Sequence, residues 1–564
     1  MYENRLKLVQ YGILCFLAIV ILRLFQIQVL NHAKYKAQAR DQHWSSQTIP
    51  VRRGDIQTID GFPVATTTSF YTLFIEPNKI FDKTKFLDSI EVLVGNDEKI
   101  RIEELLKGNG RWVKISETIS EDKRLEIEGI DEFGLHFVEN YNRYYPENNM
   151  LAHVLGFVGK DKRGESIGYY GIEQYYNGDL KGQPGLYLLE KSAFDTPILW
   201  GGENRVEALD GSTIVLTIDR NIQYIVEKNL KEGVERYGAK SVTVVVIDPK
   251  TGAVLSMANY PDFDPIDYTK DIEETSGMSI RNGAIGVVYE PGSVMKGITM
   301  AAGIDMGLVQ PETTFLDDGP KWYSGHKVDN WDGKHHGLET MTSILQRSNN
   351  IGIAWVGLQV GPKNLMEYFD SFGFGRKLGI DLEGEESGII YPVTELKEIE
   401  TVNAAFGQGI SVTPLQMTMA FAVIANDGKL MKPYIVDRIK TNDKEMVIKP
   451  TVIGRPISSV SAEIMTKMLT EAVSGGEEKH FVSKKYAVAG KTGTAQIPVK
   501  GGYDEYRTNA TFVGYFPEYK KFVMLVRLEE PTSPSGYSAE TAVPLWIKLG
   551  DEIGNYYGLK PDLN

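Results

Sequence analysis

Residues 8–30 run Leu-Val-Gln-Tyr-Gly-Ile-Leu-Cys-Phe-Leu-Ala-Ile-Val-Ile-Leu-Arg-Leu-Phe-Gln-Ile-Gln-Val-Leu. A stretch this long and this apolar has one stable form, a helix across a bilayer, because only there are its backbone groups and its side chains satisfied together. Arg23 is its single charge and lies toward one end, where the stem can reach the headgroups. Arg5 and Lys7 precede the run, so the positive-inside bias keeps residues 1–7 in the cytoplasm and the bulk of the chain outside. No small-x-small cleavage site follows, which favours a single-pass anchor in the cell membrane over a removed signal peptide. The only cysteine, Cys15, sits inside this run. No disulfide can form within one molecule, and the extracytoplasmic cores must be large enough without one.

A chain of 564 residues has room for two or three such cores. A formal net charge of −14 with no basic stripe argues against a nucleic-acid partner. The histidines are scattered, His-Glu-x-x-His is absent, and neither a metal nor a cofactor is expected.

The stretch with the most chemistry is Glu290-Pro291-Gly292-Ser293-Val294-Met295-Lys296. Pro291 and Gly292 make a corner, and Ile298, Ala301, Ala302 and Ile304 after it predict a helix with one buried side. Ser293 then stands at a helix N-terminus, where free N–H groups favour negative charge. Lys296 lies one turn on, on the same face. A serine needs a base to become a nucleophile, and a buried amine loses its charge readily, so the pair reads as nucleophile and general base. Ser348-Asn349-Asn350 lies where one helical pattern (Met341, Ile344, Leu345) gives way to another (Ile351, Trp355, Val356). Lys491-Thr492-Gly493-Thr494 follows the β-like run Tyr486–Gly490.

Ser-x-x-Lys, Ser-x-Asn and Lys-Thr-Gly in this order resemble the motif set of penicillin-binding proteins and serine β-lactamases. Around the motifs, strands open and close the last part of the chain with helices between them. Thr213–Ile218 is a strand candidate, Asp219 can cap a helix marked by Ile222, Val226 and Leu230, and Asp248-Pro249-Lys250-Thr251-Gly252 turns a hairpin. Ala510–Tyr515 and Phe522–Leu528 form a further pair, and a helix around Ala542–Leu549 ends the pattern. This order predicts an α+β fold, an antiparallel sheet flanked by helices, over residues 211–564. Residues 31–210 carry none of the motifs. Their runs Arg52–Ile56, Arg143–Pro146, His153–Gly156 and Gly171–Tyr176 resemble the mixed α/β pedestal, the dimerisation-type domain, of class B penicillin-binding proteins. The charge-rich runs 96–107 and 115–128 read as solvated helices and loops, and 80–130 as a variable insertion.

The resemblance implies a peptidoglycan D,D-transpeptidase inhibited by β-lactams, in which Ser293 attacks, Lys296 takes its proton and Ser348 passes that proton to the departing nitrogen. Asn350 would hold Lys296 or the substrate amide. Lys491, Thr492 and Thr494 would grip the terminal carboxylate of a D-alanyl-D-alanine stem peptide, and Gly493 would leave room for it beside the strand. In the family the backbone N–H groups matching Ser293 and Thr494 form the oxyanion hole. Ala404–Ile410 with Val412–Gln416, Asn330-Trp331-Asp332 and Phe372–Gly375 resemble the cell-division branch, which implies a polytopic septal glycosyltransferase and other division proteins as partners. The alternatives are a carboxypeptidase or β-lactamase-type hydrolase, which lacks a water-activating carboxylate at any motif position, and a penicillin-sensing receptor, for which seven residues before the anchor are too few. A non-enzymatic scaffold of the division complex would not need the motif residues.

Overall fold

The computed structural model describes residues 2–563 except 37–43, 81, 95, 108–112, 130–133, 191–202, 276–278, 393, 395 and 442. Helix α1 (Tyr2–Phe25) runs on through a π-helical turn, Gln26–Leu30, giving 29 residues of apolar helix with no side chain buried in the protein. Arg23 bends back onto Gln26, its Nη1 donating to Oε1 at 2.6 Å.

The chain forms two compact units, each discontinuous in sequence. One comprises residues up to 52, 69–141 and 182–211, and the other 53–68, 142–181 and 212–564. In the first, helices Lys83–Val94, Asn96–Leu106 and Glu121–Glu128 bury Phe86, Ile90, Ile102 and Ile127 with Leu73, Ile75, Ile115 and Ile119. The charge-rich run from 115 is therefore partly a strand, Val113–Ile119, paired with Tyr71–Ile75. Its charges hide a period-two placement of Val113, Ile115 and Ile119 on one face, the first partly and the other two fully buried. Trp44–Ile49, Gly185–Glu190 and Glu203–Val206 make a separate antiparallel sheet in this unit.

The second unit is built on α2 (Arg220–Tyr237), β1 (Ser241–Ile247), β2 (Val254–Tyr260), α3 (Met295–Asp305), α4 (Asn350–Val360), α5 (Pro414–Ala425), α6 (Ser459–Gly475), β3 (Ala489–Val499), β4 (Gly502–Tyr515), β5 (Val523–Glu529) and α7 (Ala542–Tyr556). Asp219 caps α2, its carboxylate accepting from Asn221 and Ile222 N–H at 2.9 and 3.2 Å. The strands form one antiparallel sheet in the order β2-β1-β5-β4-β3, so β3 is an edge. Side-chain alternation divides the sheet's residues between two cores. Val242, Val244, Phe512 and Val526 pack with α2 and with Trp546 of α7, while Val245, Ile247, Val513 and Leu525 pack with the helices of the other side. The result is helices on both faces of an antiparallel sheet, the α+β arrangement expected.

Two expectations change. Thr213–Leu216 is a strand but joins a different sheet, antiparallel to Val436–Lys440 and parallel to Ile56–Gln57. Helix α3 is buried from Met295 through Ile304 on every side, because it is the central helix of its layer and has no face left for water.

Residues 53–68 and 142–181 of this unit are held to each other partly through Glu173, fully buried between Arg53 (Nε–Oε2 2.6 Å) and Arg143 (Nε–Oε1 2.6 Å). Truncating Glu173 leaves two buried cations uncompensated, so Glu173→Ala is expected to cost about 3–5 kcal/mol, read as a lower unfolding midpoint in denaturant.

Candidate active site

Ser293 sits in a single 3₁₀ turn, Gly292–Val294, that feeds directly into α3. The turn is held from behind. Gly292 has φ +55° and donates its N–H to Gly407 O at 3.0 Å, and a Cβ on Gly407 would lie 2.2 Å from Gly292 O. Two glycines thus let the Ala404–Ile410 segment press on the serine turn.

Lys296 is fully buried. Its Nζ donates to Asn350 Oδ1 at 2.6 Å and to the main-chain oxygen of Ser348, and lies 3.1 Å from Ser348 Oγ. Burial, then the neighbouring charge of Lys491, push its pKa well below the usual lysine range. With two N–H groups committed to Asn350 and the Ser348 carbonyl, the neutral amine has its lone pair left for a hydroxyl. Ser348 has φ +52°, a left-handed conformation that brings both its oxygens onto one amine. Asn350 is the first residue of α4 and uses both ends of its amide inside the protein, Oδ1 for Lys296 and Nδ2 for Asp329 O at 2.9 Å. Of the two expected partners of Asn350, the structure shows Lys296.

On β3, Lys491 and Gly493 are buried and Thr492 and Thr494 partly exposed, as strand alternation requires. Lys491 Nζ lies 3.1 Å from Thr492 Oγ1. Thr494 Oγ1 accepts the N–H of Ser538 at 3.0 Å. The expectation for Gly493 needs correction. A Cβ there would fall 2.5 Å from Val294 Cγ2 and 2.7 Å from Pro291 O, so the protein itself fills the space by packing the serine turn against the strand. Gly493→Ala is expected to push β3 off that turn and, since a displacement of about 1 Å can cost a hundredfold, to slow acylation by about that factor, measured as the rate of penicillin labelling.

Ser293, Asn350 and Thr494 open on one cleft of about 440 Å³, whose lining includes Trp331, Phe406, Gln408, Tyr506, Thr508 and Tyr537. Among the described residues that line it there is no carboxylate. Trp331 and Tyr537 form an aromatic pair with ring centroids 5.7 Å apart. Motif spacing gave no sign of these rings as site residues, since they come from loops far apart in sequence. Asp317 is missed as well, and Asn330-Trp331-Asp332 reads in the sequence only as a mark of the family branch, not as part of the site. The only trace of Asp317 is a polar residue at an otherwise unremarkable strand end.

Comparison with known proteins agrees with the geometry. Residues 242–546 match the family described as penicillin binding protein transpeptidase domain, and 48–216 match the penicillin-binding protein dimerisation domain. The chain is 31% identical over 562 residues to Stage V sporulation protein D of Bacillus subtilis, covering 98% of this chain and 86% of that one. It is 26% identical over 560 residues to peptidoglycan D,D-transpeptidase FtsI of Escherichia coli, covering 98% and 91%. The crystal structure of penicillin binding protein 3 from Mycobacterium tuberculosis complexed with aztreonam superposes with a TM-score of 0.70 at 26% identity, covering 91% of this chain and 98% of that chain. Penicillin binding protein 2X of Streptococcus thermophilus shares the fold, with a TM-score of 0.80 at 22% identity over 92% of this chain and 81% of that one. With a serine turn, a buried lysine and a β-edge converging on one cleft, and with both domain matches in order behind an apolar helix, the chain belongs to the class B penicillin-binding proteins.

Proposed function

We propose that this chain is a peptidoglycan D,D-transpeptidase that cross-links stem peptides through an acyl-enzyme on Ser293. The observation that carries the reading is the amine of Lys296, fully buried among Ser348 and Asn350 beside the turn that holds Ser293, where burial pushes its pKa well below the usual lysine range. Ser293 Oγ attacks the penultimate D-alanine carbonyl while Lys296 Nζ takes its proton. The oxyanion is met by the backbone N–H groups of Ser293 and Thr494, each such donor contributing about 2.7–4 kcal/mol. Ser348 Oγ, 3.1 Å from Nζ, carries the proton to the nitrogen of the leaving D-alanine. An acceptor amine then attacks the ester and frees the serine. Lys491, Thr492 and Thr494 grip the terminal carboxylate through charge-assisted bonds.

Transfer is favoured over hydrolysis by the lining of the cleft, which offers a deacylating water no carboxylate base among the described residues. A β-lactam acylates the same serine and stays. The apolar run 8–30, within the helix Tyr2–Leu30, anchors the chain in the membrane, with residues 1–7 cytoplasmic and the chain after about residue 30 outside. Residues 31–210 serve as the non-catalytic pedestal and 211–564 as the transpeptidase domain. The FtsI and Stage V sporulation names among the relatives support a role in septal wall synthesis, and the resemblance to the cell-division branch implies a polytopic glycosyltransferase as partner. The test is full-length protein in detergent, given a D-Ala-D-Ala-terminated donor peptide and an amine acceptor. Released D-alanine with coupled product supports the reading; release without coupling, at any acceptor concentration, shows a hydrolase instead.

A further inference from the structure

Behind the cleft lies a buried polar cluster that no step above uses. Asp317, at the end of the strand Thr314–Asp317, has a side chain with no exposed surface. Its Oδ2 accepts from Asn330 Nδ2 and from Asn349 Nδ2, both at 2.8 Å. His335 Nδ1 lies 3.3 Å from Oδ1, and His336 N–H reaches Oδ2 at 3.4 Å. Glu339 faces the same cluster from the neighbouring strand, taking Asn349 Nδ2 at 2.6 Å.

A carboxylate only accepts, so each amide facing Asp317 must present its NH₂ to it and turn its oxygen the other way. Both oxygens then point at the start of α4. Asn349 Oδ1 accepts Gly352 N–H at 2.7 Å and Asn330 Oδ1 accepts Asn350 N–H at 3.0 Å. Asn350, fixed by that bond, holds Lys296. We propose that Asp317 is a positioning residue for acylation: its charge sets the direction of two amides, and through them the place of Asn350 and of the Lys296 amine. This rests on the reading of Lys296 as the general base.

The role predicts more than loss of fold. Asp317→Asn keeps the shape but takes away the charged acceptor that the two amides share, leaving Asn349 Nδ2 only Glu339 and Asn330 Nδ2 only the Lys334 main-chain oxygen to hold their direction. Loss of a hydrogen bond to a charged group is worth roughly a tenfold to hundredfold change, and the plateau rate of penicillin acylation per folded molecule should fall by about that much. The acid limb of the rate against pH should also move to lower pH, because a Lys296 amine that loses its acceptor Asn350 Oδ1 holds its proton less well. His335 and Glu339 also face Asp317 and are themselves titratable, so Glu339→Gln and His335→Gln, each expected to leave the limb in place, are run as controls.

The decisive variant pairs D317N with N330D, which again sets an amide against a carboxylate and leaves an acceptor for Asn350 N–H. Stopped-flow acylation is measured for wild type, both single variants and the pair, with circular dichroism to count folded protein. Recovery of a substantial part of the D317N loss in the pair, with the acid limb moved in D317N, supports the proposal. A D317N plateau within twofold of wild type with an unmoved limb overturns it, and so does a pair that shows no recovery, whether it is silent or unfolded. Acylation of wild type but not of Ser293→Ala in the same series keeps the nucleophile assignment separate from this outcome.

Discussion

A protein in which Ser293 is alanine takes up no fluorescent penicillin, although it folds and carries every other group of the cleft. The expected loss is the largest available to a single change, since removing a nucleophile that acts as one unit with its base costs on the order of 10⁶-fold. Stability should hardly move. Ser293 is only partly buried in a turn held by Pro291, Gly292 and Gly407, none of which needs the hydroxyl, so the change should be within about 0.5 kcal/mol. Labelling of the purified variant beside wild type, read on a gel and by intact mass, decides it. Equal labelling would place the nucleophile elsewhere and end the account built on this turn.

Lys296→Met separates chemistry from folding. Without the amine no base lies in register with Ser293, and acylation should fall about 10⁴-fold, the upper range for general base catalysis. The effect on stability depends on pH, with a definite sign. The folded state holds the Lys296 pKa well below its unfolded value, chiefly by burial and then by the Lys491 charge. Between the lowered pKa and about 10.4 the unfolded chain binds the extra proton, so this group makes the folded protein more stable as pH rises through that window. In Lys296→Met that increment is gone. Urea unfolding from neutral to alkaline pH should show a steeper gain for wild type than for the variant. Parallel curves would mean that the amine keeps its proton when folded and is not the base.

The elements legible in the sequence were those with a short period or a fixed local spacing. Asp219 before an apolar 3.6-residue repeat gives α2 and its cap, and Asp248–Gly252 gives the β1–β2 turn. Ser-x-x-Lys puts its two side chains on one turn by helix geometry alone. What the spacing does not contain is how turns hundreds of residues apart close on one another. Gly493 shows the difference. Read along the strand it is a gap for a ligand, and in three dimensions that gap is occupied by Pro291 and Val294. Helix α3 failed as an amphipathic pattern because a helix buried all round has no polar face to detect. Asp317 and Tyr537 carried no signal, and Asn330 and Trp331 stood out only as part of a family-like run with no role attached, since what each of them meets is decided by the packing of distant segments.

The division of the chain into discontinuous units also bears on how the protein can be handled. The polypeptide passes from one unit to the other at 52/53, 68/69, 141/142, 181/182 and 211/212. An expression fragment opened at residue 212 would therefore start with Ile214 stripped of Ile56 beside it, and would lack Leu151, Leu155 and Ile172 of its own largest core. Such a fragment should precipitate or bind hydrophobic dyes, whereas one begun just after the anchor would stay in solution.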